Sequence, residues 1–286
     1  MKMLTLNTHS LQEEGYPQKL EQFCETVAKI QPDVIALQEV NQSINAAPAG
    51  RELLQGYVPC PEETVPVRQD NHAAQAAFRL NRAGITCSWT WVSAKIGYGK
   101  YDEGIALFCL NHEIAAAESF FLSSCQSYGN WKTRKALGIQ RKYSKDWFFT
   151  VHMGWWEDEE EPFSSQWERL GTSLSPKRET SRIWLMGDFN SPAERRGEGY
   201  DCIKNRGWQD TYLLAGQKDS GVTVEGSIDG WKSSDGHAAA PGGMRMDHIW
   251  CSKKTLVKSS KVWFNGIDGP KVSDHYGVLV ETGDEG

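Results

Sequence analysis

The chain has 286 residues, of which 39% are hydrophobic and 24% charged, with 31 basic and 37 acidic side chains and a formal net charge of -6. This is the composition of an ordinary globular domain; it excludes a disordered chain, and no apolar run approaches the ~18 residues needed to cross a bilayer. The acidic balance gives no global attraction to nucleic acid, although it is compatible with a local basic patch. The length allows one large domain or two small ones, but no repeat and no low-complexity linker divides it, so one domain over residues 1–286 is expected.

The N-terminal Met1-Lys2 runs directly into Met3-Leu4-Thr5-Leu6-Asn7, without the apolar core and cleavage site of a secretory signal. The seven cysteines are odd in number, widely spread and without a C-x-x-C pair, as expected of reduced thiols. Both features point to the cytoplasm. Leu4-Thr5-Leu6-Asn7 reads as a short strand, and Leu20, Phe23, Cys24, Val27 and Ile30 recur at helical spacing across 17–31. After Pro32, the apolar run from Val34 to Leu37 has the pattern of a strand covered on both faces and ends at Gln38-Glu39. Asp70 is placed to cap a helix over 73–80, and 85–92 alternates like a strand. Further short apolar segments at 104–109, 147–153, 183–186, 245–251 and 277–280 are bounded by Gly, Asp, Asn or Ser. Helices intervene only in places, which predicts mixed sheets with flanking helices rather than a regular βαβ repeat. The acidic run at 157–161 reads as a solvated loop.

Apolar segments repeatedly end in residues suited to metal or phosphate chemistry: Leu6-Asn7-Thr8-His9, Leu37-Gln38-Glu39, Thr150-Val151-His152, Met186-Gly187-Asp188-Phe189-Asn190, and Met246-Asp247-His248 with Ser273-Asp274-His275. Each alone has a bland explanation as a turn, a helix cap or a hydrogen-bonded core histidine. Strand ends converge on one rim of a sheet, and the set combines hard oxygen ligands, a carboxylate able to take a proton from water and imidazoles able to hydrogen-bond phosphoryl oxygens. Together with Tyr101-Asp102-Glu103-Gly104, these motifs, in this order from residue 7 to 275, resemble the endonuclease/exonuclease/phosphatase superfamily. The resemblance implies a deoxyribonuclease I-like α/β fold, a four-layer sandwich of two packed mixed sheets with helices outside.

It also implies roles. Glu39, Asn7 and Asp274 would bind Mg²⁺, with Mn²⁺ able to replace it. Asp188 would accept a proton from the attacking water or orient it, and Asn190 would hold the phosphoryl group or the nucleophile. His152 and His275 would donate to oxygens where charge develops, His275 supported by Asp247 and His152 by Glu103 (or by its neighbour Asp102), each partner favouring the charged ring. His9 and His248 receive no role.

The superfamily's substrates range from nucleic acids to phospholipids and sugar phosphates. The stretches 99–106, 152–156 and 226–231 resemble the branch of bacterial cytoplasmic phosphatases that acts on maltose 6'-phosphate, which implies a phosphorylated disaccharide as substrate. Twelve tryptophans suit sugar faces as well as core packing, and Tyr101, Trp155, Trp156 and Trp231 are the substrate-binding candidates. Lys132, Arg134 and Lys135 form a local basic cluster, read as a solvated loop. The alternatives are a nuclease of the same fold, which calls for broad basic surfaces; a phospholipid diesterase, which calls for a membrane-facing element; and a non-catalytic binding module, which would have lost part of the Glu/Asp/His set. Neither a membrane partner nor an oligomeric state is indicated.

Overall fold

The computed structural model describes residues 1–226 and 242–283. In chain order its strands are β1 (Lys2–Asn7), β2 (Val34–Ser43), β3 (Cys87–Gly97), β4 (Tyr101–Leu110), β5 (Ile114–Phe121), β6 (Lys135–Arg141) and β7 (Trp147–His152), then β8 (Ile183–Asp188), β9 (Gln209–Asp210), β10 (Gln217–Lys218), β11 (Asp247–Cys251), β12 (Val257–Trp263) and β13 (Gly277–Thr282). The α-helices are α1 (Tyr16–Ile30), α2 (His72–Arg82), α3 (Phe163–Thr180), α4 (Gly199–Asn205) and α5 (Thr211–Leu214). One sheet has the order β10-β12-β13-β1-β2-β4-β3 and the other β5-β6-β7-β8-β11-β9. Among the described residues no helix is long and apolar enough to cross a membrane.

Strand alternation builds four layers. Met3, Val34, Ala36 and Leu107 of the first sheet meet Ile139, Phe148, Trp184, Met186 and Ile249 of the second in a central core. The next residues along, Leu4, Leu6, Ile35, Leu37 and Phe108, point the other way, onto Leu20, Phe23 and Val27 of α1 and Ala73, Ala77 and Leu80 of α2. On the opposite side Phe149, Val151, Leu185 and Trp250 pack against Phe163, Trp167, Leu170 and Leu174 of α3. The period of two thus gives each strand two buried faces, the reason these segments read as continuous apolar runs.

The five spaced apolar residues expected on α1 are all buried, and the helix stops at Gln31, whose left-handed φ of 45° sends its N–H to the Val27 carbonyl. The cap of α2 is one residue from its expected place. The Asn71 side chain accepts from the Ala74 N–H at 3.0 Å, while Asp70 accepts from the Ser43 N–H at 3.1 Å and ties α2 to the end of β2. Helix α3 was not expected, since an internal Pro176 and interspersed Ser, Thr and Gly blur its apolar period. All seven cysteines are free, five of them buried.

Registers bring the polar strand ends to one rim. In the second sheet, parallel β7 and β8 set His152 beside Asp188, and antiparallel β11 sets Asp247 on the other side of Asp188. In the first, parallel β1 and β2 set Asn7 beside Gln38. Gln38 then bridges the two sheets beneath the rim, its Nε2 donating to Thr150 Oγ1 of β7 at 2.8 Å and to Thr5 Oγ1 of β1 at 3.1 Å.

Candidate active site

Two local distortions aim carboxylates at the rim. The β2–β4 register slips between Leu37 and Val40, and within that bulge Glu39 adopts a left-handed φ of 51°. A bulge re-aims one side chain at the cost of regular pairing, and the strain of a non-glycine residue there is held by the flanking ladder. Glu39 Oε1 accepts from Asn7 Nδ2 at 2.9 Å, whereas its buried Oε2 has no hydrogen-bond partner. On β8, Gly187 has φ 148°, and a Cβ there would stand 2.0 Å from the Val151 carbonyl oxygen, so only glycine lets β8 approach β7 at this point. Asp188 follows, with Oδ1 accepting from the Asn190 N–H at 2.8 Å and Oδ2 from Asn7 Nδ2 at 3.1 Å.

Both histidines converge on that second oxygen, with Nε2 of His152 at 3.7 Å and Nε2 of His275 at 3.8 Å. His275 Nδ1 pairs with Asp247 Oδ2 at 3.0 Å, as expected. The Ser273 hydroxyl donates to the Asn7 carbonyl at 2.7 Å, fastening the Ser-Asp-His segment to the end of β1. Asn190 sends its side-chain N–H to the Met153 carbonyl at 2.8 Å. His248 lies behind: Arg245 donates to its Nδ1 at 3.0 Å, leaving Nε2 to donate to the Ser191 carbonyl at 3.2 Å, so it braces the loop that carries Asp188 and Asn190. Burial, reinforced by Arg245, pushes His248 down to about 3, so the ring is neutral.

The two rim imidazoles differ in charge. Burial opposes protonation of His275, but Asp247 and Asp188 outweigh it and raise the ring well above its ordinary value. His152 is held well below its ordinary value by burial, and then by Arg134, Lys95 and His275. The expectation of a charged His152 is therefore corrected to a neutral ring. Burial raises Asp188 to about 6, with Asp247 adding and His275 opposing, and raises Glu39 to about 7, with Glu103 adding and His9 opposing. His9, paired with Glu13 at 2.8 Å and 4.0 Å from Asp274 Oδ1, is raised to about 9: burial works against this, but the neighbouring carboxylates prevail.

The support expected for His152 is also different. Glu103 pairs with Lys95 Nζ at 3.0 Å, and Asp102 is taken by Arg68 Nε at 3.0 Å, Gln42 and the Tyr128 hydroxyl. Neither acid reaches His152, because the Ser93–Lys95 irregularity in β3 brings a lysine opposite Glu103. Glu39, Glu103, His152, Asp188, Asn190, Asp274, His275 and Trp155 share a cavity of about 270 Å³, with Asn7 and Asp247 directly behind its wall. Tyr101 is not on that wall; its hydroxyl donates to the Leu11 carbonyl at 3.2 Å. Trp156 packs on Phe163 with ring centres 6.1 Å apart, in the outer core. Trp231 lies outside the described residues.

Five cavity residues carried no motif: Lys95, Gly97, Tyr98, Trp131 and Arg134. Trp131 and Trp155 meet at 5.5 Å between ring centres, and Trp131 and Tyr98 are about half exposed at the mouth. The basic cluster at 132–135 is not a solvated loop. Lys132 pairs with Asp158 at 2.9 Å, Lys135 lies 3.9 Å from Glu63, and Arg134 is buried against the cavity. Nor is the acidic run fully solvated, since buried Glu161 accepts from the N–H groups of Ser124 at 3.0 Å and Cys125 at 2.7 Å, anchoring the loop before β6.

The donor set fits a divalent cation. Glu39 Oε2 is a buried carboxylate oxygen left without a partner, Asp274 adds a second hard oxygen in the same cavity, and Asp188, Asp247 and His275 offer ligand atoms within 4.8 Å of one another. Asn7 presents its amide N–H to Glu39 and Asp188, so service as an oxygen ligand requires that amide to turn over.

A family model described as "Endonuclease/Exonuclease/phosphatase family" matches residues 4–275. Among solved structures, an endonuclease/exonuclease/phosphatase family protein from Leptotrichia buccalis is 32% identical, with a TM-score of 0.80 and coverage of 99% of this chain and 100% of that one. A conserved protein of unknown function from Enterococcus faecalis is 18% identical with a TM-score of 0.63, each chain covered to 100%. A mannosyl-6-phosphatase from Bacteroides thetaiotaomicron is 16% identical with a TM-score of 0.65, covering 99% of this chain and 100% of its own. At these last two identities the likeness is one of fold. No curated protein sequence matches. With a family match that spans all but a few residues, and with the acidic and imidazole groups gathered where two sheets share a rim, the chain belongs to the endonuclease/exonuclease/phosphatase family, whose members are hydrolases of phosphoester bonds and generally depend on a divalent metal.

Proposed function

We propose that the chain is one cytoplasmic catalytic domain that hydrolyses a sugar phosphomonoester, most simply a phosphorylated disaccharide such as maltose 6'-phosphate, by Mg²⁺-assisted in-line attack of water. The observation that carries this reading is the shape of the site: a cavity of about 270 Å³ with an aromatic mouth, near the lower end of small-ligand pockets (~300–1,000 Å³), rather than a long cationic track. The indole surfaces of Trp131 and Trp155, tilted against each other on the cavity wall, suit a sugar ring. The mannosyl-6-phosphatase of the same fold supports a sugar phosphate, and the reduced thiols support the cytoplasm.

Glu39, Asp274 and, with its amide turned, Asn7 would hold Mg²⁺, which when bound polarises a phosphoryl oxygen. Asp188 Oδ2 takes a proton from water or orients it; its raised value matches a base working near neutrality. His275, charged and fixed by Asp247, donates to an oxygen where negative charge grows. Neutral His152 donates a hydrogen bond from one ring nitrogen beside it, and Asn190 holds the Asp188 loop in register through Met153.

The test is kcat/KM for maltose 6'-phosphate, other sugar phosphates, and single- and double-stranded DNA, under identical Mg²⁺ and salt and again in excess chelator. Sugar phosphates should be cleaved far faster than DNA, and only with metal. Efficient DNA cleavage with inert sugar phosphates overturns the substrate, and full activity in chelator overturns the metal.

A further inference from the structure

Arg134 stands out among the cations near the cavity. The residue is 6% exposed, and its Nη1 is spent on backbone, donating to the carbonyls of Trp131 at 2.8 Å and Thr133 at 3.3 Å. Its buried Nε has no partner, and among the described residues no carboxylate comes within ion-pair distance of it. The other cations here are matched: Lys95 by Glu103, Lys132 by Asp158 and Glu160, His275 by Asp247. Glu103, Glu39, Asp188 and Asp158 act on it only from beyond ion-pair distance; burying a guanidinium without a contacting counter-charge is costly, and a fold that keeps one at a cavity wall stabilises an anion there.

We propose that Arg134 is the specificity-determining residue that selects a phosphomonoester dianion over a diester, by receiving a non-bridging phosphoryl oxygen on its unspent N–H groups. This rests on the reading that the cavity takes phosphate esters. A diester offers two non-bridging oxygens, which a divalent cation held by Glu39 and Asp274 would satisfy together with His275. A monoester offers a third oxygen and a second negative charge, and Arg134, the cavity cation with no carboxylate in contact, is positioned to meet both. A planar fork suits that task better than an ammonium group, because it holds direction as well as charge. The position is fixed from outside the motif residues: Glu161 anchors the loop at 124–125, and Arg134, just before β6, hands its carbonyl to the Leu122 N–H at 2.8 Å.

The experiment compares the parent protein with Arg134→Met and Arg134→Lys in Mg²⁺ buffer. It measures kcat/KM for 4-nitrophenyl phosphate and bis(4-nitrophenyl) phosphate, and the affinity for inorganic phosphate by calorimetry. Loss of a charge-assisted contact predicts a ~10- to 100-fold fall in kcat/KM for the monoester in Arg134→Met, a similar loss of phosphate affinity and a fall of less than ~5-fold for the diester. Arg134→Lys should lie between, and carries the test if the methionine variant does not fold. An equal fall for both esters with unchanged phosphate affinity shows a structural role and overturns the proposal, as does a parent protein that does not bind phosphate. A parent that binds phosphate in an Arg134-dependent way yet hydrolyses neither ester upholds the anion site and overturns the catalytic reading instead.

Discussion

Asp188 divides its labour between its two oxygens: Oδ1 is committed to the backbone of Asn190, and Oδ2 faces Asn7 and both histidines. Asp188→Asn keeps the shape and removes the proton acceptor, and His275→Ala removes a charged donor. Each should lower kcat by ~10²-fold or more with an unchanged circular dichroism spectrum. Near-normal turnover in either folded variant removes that residue from the mechanism. Glu39 belongs to the metal instead. In a thermal melt, Mg²⁺ should raise the Tm of the parent, and Glu39→Gln should need at least ~10-fold more Mg²⁺ for the same rise; an unchanged titration assigns the cation elsewhere. Glu39, His152 and Asp188 were legible in sequence because each closes an apolar run, and Asp247 and His275 because each stands at or just before the start of one. Arg134 and Lys95 were not, since a cation inside a strand or a polar loop looks the same whether it faces water or a cavity. The partner of Glu103 was misjudged for a related reason: a strand irregularity decides which side chain stands opposite, and no residue type announces it.

Among the elements, the α1–α2 pair illustrates a pH-dependent packing cost away from the rim. His72 begins α2, is buried among α1 side chains, lies 3.1 Å from the Tyr16 hydroxyl through Nδ1 and leaves Nε2 without a partner. Burial, with Arg79 adding, pushes it down to about 3. In the unfolded chain the ring protonates near 6.5, so below that pH the unfolded state binds the extra proton and is favoured. The stabilising effect of the neutral ring is complete above 6.5 and is lost as pH falls, by about 2 kcal/mol on reaching pH 5. His72→Asn, which keeps an acceptor for Tyr16, should therefore lose ~1–2 kcal/mol less than the parent between pH 7 and pH 5 in urea unfolding; equal losses would refute the argument. At this scale the sequence was most readable where both faces of a strand are buried, as in β2, β7 and β8. It was least readable where the periodic signal is diluted: α3 contains a proline, and six of the eight residues of β5 are half-buried along its sheet edge.

For the whole molecule, the four layers follow from a single rule repeated strand after strand, namely that neighbouring residues face opposite sides. Met3 and Leu4 enter different cores, as do Ala36 and Leu37, and Trp184 and Leu185. That rule is visible in composition as apolar runs, so mixed sheets with flanking helices were legible; the four-layer sandwich came from the resemblance, and strand order, which depends on contacts across hundreds of residues, was not read at all. The first sheet contains both ends of the described fold. Strand β1 lies between β2, which follows it closely, and β13, the last strand, and the Ser273 hydroxyl reaches the Asn7 carbonyl across 266 positions. Synthesis from the N-terminus therefore makes Asn7 and Glu39 long before Asp274 and His275 exist. Until β13 leaves the ribosome, β1 has one open edge and Asp188 lacks its second histidine, so the growing chain carries an exposed strand and an incomplete site from β1 to β13. Closing so long a loop adds little entropy cost per extra residue, but it must wait for β13. Hydrolytic competence and protection of that edge thus arrive together, once His275 and β13 have been made.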